Sequence, residues 1–118
     1  MLGRFFKKKK SVELVLNTDE INCISLILSK ELDRLREIAD SKTSYDFTRR
    51  YFKKLVGKKV AILKFTTEKS GDLMLLTVLL MCEADRVEDQ KEKDYYNLIA
   101  ARIQWVHRQL AYVCSDED

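Results

Sequence analysis

Apolar residues recur along this chain at two different periods. Val12, Leu14 and Leu16 are interleaved with Glu13 and Val15, the alternation of a short strand. From residue 18 the period lengthens. Ile24, Leu28, Leu32, Leu35 and Ile38 follow one another at steps of four and three, which predicts a helix over 18–39. Asn17 stands where an N-cap is needed, and Glu20, three residues on, completes a capping-box spacing. Asp19 and Glu20 also suit the positive end of the helix dipole.

Asp40-Ser41-Lys42-Thr43-Ser44 is a polar connection that contains cap candidates. A second helix is predicted over 45–57. Tyr45, Tyr51, Phe52, Leu55 and Val56 fall on one half of its wheel and Arg49, Arg50, Lys53 and Lys54 on the other, at about 100° per residue. Gly57 suits the position after the C-cap, and the two lysines suit the negative helix end. Residues 60–65 are rich in apolar and β-branched side chains, with Lys64 among them, and predict a second strand. A third helix is predicted over 70–90. Its run Leu73–Cys82 is broken only by Thr77 and reads as a helix buried in the core, because a membrane span needs about 20 such residues.

A fourth helix is predicted over 92–114. Tyr96, Ile99, Ile103, Val106, Leu110 and Val113 follow at steps of 3, 4, 3, 4 and 3, a two-in-seven stripe. Tyr95, Leu98, Trp105 and Tyr112 lie one position over and widen it. No proline or glycine separates the last two helices. Ordinary helix lengths place a turn in the polar stretch 88–94 in preference to one continuous helix.

The order strand, helix, helix occurs twice. An offset of 49 residues sets Leu14 on Leu63, Leu16 on Phe65, Ile24 on Leu73 and Phe47 on Tyr96. The expected fold is mainly α: a four-helix compact domain with two short strands that can pair, arranged as a pseudo-repeat. An isolated strand pair needs such helix packing for stability.

Composition narrows the chemistry. The 118 residues include no proline and three glycines, so a Gly-rich phosphate loop cannot be built. The net charge of +3 hides larger opposed blocks. Residues 1–10 carry five basic groups and no acid, and residues 115–118 carry three acids, so 11–114 keeps only +1. The expected organisation is a flexible basic tail at 1–10, one helical domain at 11–114 and an acidic tail at 115–118. The stretch 11–16 after the early lysines is too short for a signal's apolar region and carries Glu13, so a secretory signal is not expected. Cys23, Cys82 and Cys114 form no CxxC pair and read as reduced, buried thiols, consistent with a cytoplasmic location. His107 is the single histidine and has no sequence-local triad or metal-ligand partner.

Two surfaces remain. The aromatic stripe of the fourth helix exceeds what one core seam needs, and aromatic residues with Arg are enriched at interface hot spots. The leading expectation is a non-enzymatic interaction or assembly module that self-associates, as a homodimer, through helical surfaces at Tyr95, Arg102, Trp105, Arg108 and Tyr112. The alternative is a nucleic-acid-binding accessory protein. It would use Lys7, Lys8, Lys9 and Lys10 together with Arg49, Arg50, Lys53, Lys54, Lys58 and Lys59. Arg49–Lys64 carries seven basic residues and no acid. No catalytic residue, metal ligand, cofactor or small-molecule substrate is predicted, and insertion into a membrane is not expected.

Overall fold

The structure, a computed structural model, describes residues 11–38 and 41–115. The tail at 1–10 and the acidic residues 116–118 lie outside the described residues. The chain runs β1 (Val12–Leu16), α1 (Thr18–Arg36), α2 (Lys42–Leu55), β2 (Ala61–Phe65), α3 (Ser70–Arg86) and α4 (Gln90–Ser115). This is the mainly helical, four-helix arrangement with two paired strands that the hydrophobic pattern predicts.

Local chemistry explains most boundaries. Asn17 Oδ1 accepts from the Glu20 amide at 2.9 Å, and the Asn17 amide donates to Glu20 Oε1 at 3.0 Å, a complete capping box at the start of α1. Helix α2 starts at Lys42, earlier than the aromatic pattern indicates. Ser41 precedes it, but its hydroxyl turns back and donates to the Leu35 and Ile38 carbonyls, closing the end of α1. Gly57 follows the C-cap of α2 with φ of 76°. Val56 has φ −58° and ψ 130°, and the Lys58 amide donates to the Leu55 carbonyl at 3.1 Å. Residues 55–58 therefore form a type II turn, whose third position requires positive φ.

Helices α3 and α4 are separate. Val87 adopts extended backbone (φ −81°, ψ 147°) and stops α3. Asp89 Oδ2 then accepts from the Glu92 amide at 3.1 Å and caps α4. The spacing Asp89…Glu92 was a helix-start signal of the same kind as Asn17…Glu20. The break at 87–89 is only three residues long, which returns α4 along α3 as an antiparallel helix pair. These two helices form the most extensive contact in the fold, followed by α1 with α2.

The strands are antiparallel, with Val12 opposite Phe65, Leu14 opposite Leu63 and Leu16 opposite Ala61. Residues related by the 49-residue offset, Leu14 and Leu63, are thus direct cross-strand partners. The inner face of the pair, with Leu14, Leu16, Ala61 and Phe65, is buried. One continuous core joins it to Ile21, Ile24 and Leu28 of α1, Tyr51 and Leu55 of α2, Leu73, Leu76 and Leu80 of α3, and Ile99, Ile103, Val106 and Leu110 of α4.

The structure corrects two expectations about burial. The run Leu73–Cys82 is buried on one face only. Met74, Leu75, Val78 and Met81 are exposed, because α4 and α1 pack against α3 and the core takes its Leu73–Leu76–Leu80 side. Cys82 shares that exposed side, and Cys23 is half-buried, so neither is a fully buried thiol. The Cys114 side chain lies outside the described residues.

Candidate interaction surfaces

Helix α4 carries two adjacent seams. The inner one is buried at Ile99, Ile103, Val106 and Leu110, and half-buried at Tyr96. The Val113 side chain lies outside the described residues. One position over, Leu98, Trp105 and Tyr112 repeat at intervals of seven and stay 61%, 59% and 68% exposed. A spacing of seven keeps side chains on one stripe of a helix, the spacing by which helices pack along a seam. Trp105 also borders a shallow depression of about 240 Å³ with Glu13, Val15, Arg102 and Val106. Val15 and its cross-strand partner Ile62 are both exposed on the outer face of the strand pair. The apolar surface of α4 therefore continues onto β1.

The other residues expected on this surface differ in role. Arg108 is exposed. Tyr95 is 36% exposed. Partial burial, followed by Cys23 and Asp19, raises its hydroxyl above the ordinary tyrosine value. Arg102 is already engaged within the chain. Its Nη2 donates to the Val15 carbonyl at 2.7 Å, and its Nη1 pairs with Glu20 Oε2. Glu20 is buried, so this one carboxylate completes the cap of α1 and ties α4 to it. A buried carboxylate needs such a partner, because leaving its charge unpaired is costly.

The basic residues of α2 also divide. Arg49 and Lys53 are exposed. Arg50 lies 5.8 Å and 5.5 Å from the ring centroids of Phe47 and Tyr51, and 3.5 Å from Asp72. Lys54 Nζ sits 5.3 Å from the Tyr51 ring centroid. Burial, then Lys69 and Arg50, lower its ammonium from the ordinary lysine value, and Asp72 partly offsets them. The Lys59 carbonyl accepts from Thr18 Oγ1 at 2.6 Å and fastens the approach to β2. Lys7, Lys8, Lys9 and Lys10 lie outside the described residues.

Sequence reasoning missed one feature of the surface. An open groove of about 770 Å³ follows β2, with Val60–Phe65 on one side and Tyr51, Lys54 and Lys58 on the other. Nothing in the local sequence marks it, because it depends on which strand lies at an edge. Among the described residues, no group of three or more His, Cys, Asp or Glu side chains gathers as a metal site, and no helix is long and apolar enough to cross a membrane.

No family model, curated protein or solved structure matches this chain.

Proposed function

We propose that this protein is a non-enzymatic interaction module that associates with a second copy of itself through the outer seam of α4. The observation that carries this reading is the exposure of Leu98, Trp105 and Tyr112 at intervals of seven beside Val15. Large apolar side chains scattered singly on a surface are ordinary, but a stripe that joins a neighbouring apolar strand face is a contact surface. Two such stripes can pack against each other about a twofold axis, the commonest symmetry of homo-oligomers. Trp105 is the natural centre, with Arg108 one turn away as a polar rim. The exposed side of α3, with Met74, Val78 and Met81, offers a further apolar area.

Light scattering coupled to gel filtration across the micromolar range tests the reading. The native chain should elute as a dimer that dissociates on dilution, and Trp105→Ala should be monomeric with an unchanged circular dichroism spectrum. A native chain that is monomeric throughout, or a dimer indifferent to Trp105→Ala and Leu98→Ala, overturns it.

A further inference from the structure

The two edges of the strand pair are treated differently. On the β1 side, α4 lies against the strand, and Arg102 donates to the Val15 carbonyl at 2.7 Å. In the sequence, the 49-residue offset sets α2 against α4, with Lys53 in the place of Arg102. But α2 has 14 residues where α4 has 26, and it ends at Leu55 in the type II turn. The far edge of β2 has no strand paired with it among the described residues, and the groove of about 770 Å³, walled opposite by Tyr51 and Lys54 of α2, lies along β2. Every second residue of β2 turns its N–H and C=O toward this side, which makes the edge a template for another strand.

The groove has a definite chemistry. Lys54, Lys58 and Lys64 line it, against Glu13 as its acid. Arg50 and Lys69 stand close enough to Lys54 to disfavour its charge further. Val60 and Ile62 add exposed apolar area. A second copy added through β2 would bring its own Lys58 and Lys64 to this basic edge, so like charges oppose that arrangement. A nucleic acid could use the lysines but not the strand ladder.

We propose that the free edge of β2 receives an extended, acidic peptide segment of a partner protein as a third strand. Lys54, Lys58 and Lys64 meet its carboxylates, while backbone hydrogen bonds to β2 supply the register. Strand addition of this kind takes affinity from the main chain and specificity from alternate side chains. This surface is separate from the α4 seam, and the proposal does not depend on self-association.

The test uses the full chain and a fluorescent peptide of alternating Glu and Val, measured by anisotropy. Binding should weaken as salt rises, and amide shifts in a nitrogen-labelled sample should concentrate at Val60–Phe65. Lys58→Glu and Lys64→Gln together should weaken binding by about tenfold or more, and Trp105→Ala should leave it unchanged. A peptide of the same charge with alternate amides methylated should not bind. No binding by the parent peptide overturns the proposal. So does equal binding of the methylated peptide, which would mean charge adhesion only. Amide shifts confined to the α4 seam, or a labelled oligonucleotide that binds this edge while the peptide does not, also overturn it. Circular dichroism of the double variant separates loss of the site from loss of the fold.

Discussion

Removing one oxygen atom from Tyr51 tests the core and the wall of the groove together. The Tyr51 side chain is 2% exposed, and its hydroxyl donates to Asp72 Oδ2 at 2.6 Å. Its ring is parallel to that of Phe65 at 6.4 Å and tilted against Phe47 at 5.0 Å. Tyr51→Phe keeps these ring contacts and deletes only the hydrogen bond. A hydrogen bond to a charged acceptor contributes about 1.5–3 kcal/mol. Asp72 retains Arg50 at 3.5 Å, so the lower part of that range applies, about 1.5–2 kcal/mol. For a chain of this length the loss corresponds to a fall in Tm of about 5–10 °C.

The assay is urea unfolding of Tyr51→Phe, Asp72→Ala and the double variant. The coupling energy of the cycle should be about 1–2 kcal/mol, because each single variant removes the same bond. Alkaline titration gives a second readout. Burial first, then the hydrogen bond to Asp72 and its charge, raise the Tyr51 hydroxyl above its ordinary value of 10.0, while Arg50 opposes them. The folded state therefore holds this proton more tightly than the unfolded state. The associated stability is fully present below pH 10.0 and is lost as pH rises through the folded value. Asp72→Ala should move the titration downward. A Tyr51→Phe variant within about 0.5 kcal/mol of the native chain, or additive single effects, would refute the reasoning.

The remaining predictions concern the helix start, the turn and the thiols. Asn17→Ala should cost about 1 kcal/mol in denaturant unfolding, because the Glu20 amide loses its acceptor while Arg102 still holds the Glu20 carboxylate. Gly57→Ala should cost about 1 kcal/mol despite open space around the position, since the penalty lies in its φ of 76° and not in a clash. Thiol labelling at neutral pH, resolved by peptide mass spectrometry, should modify exposed Cys82 well before Cys23. Burial, with Glu83 adding to it, pushes the Cys23 thiol from 9.0 up to about 12. That shift also predicts a loss of stability as pH rises from 9.0 toward about 12, since the folded state binds the extra proton. Cys23→Ala should show a smaller loss across that window, and equal alkaline losses would contradict the assignment.

Features set by neighbours in the chain were legible from the residues. The capping box at Asn17 and Glu20 was readable because it needs only three-residue proximity. The inner seam of α4 was readable because burial on one side of a helix imposes its period on the sequence. The break before α4 could have been located more closely from Asp89 and Glu92, which repeat the Asn17–Glu20 spacing. Other features needed contacts across the fold. Arg102 had the composition of an interface residue, but its guanidinium reaches Val15, 87 residues away in sequence. The apolar run of α3 did not reveal which side the core would cover, and a run apolar on nearly every face carries no period to say so.

The sequence by itself therefore determined the elements, the Asn17–Glu20 cap, the two-in-seven seam and the strand-helix-helix order, all of which follow from short-range spacing. Tertiary structure decided which strand edge α4 covers, which face of α3 meets solvent, and that Lys54, Lys58 and Lys64 share one groove. The reason is physical. Helix period and capping act over a few residues, whereas an edge, a free face or a gathered charge exists only once distant segments have packed and left something uncovered.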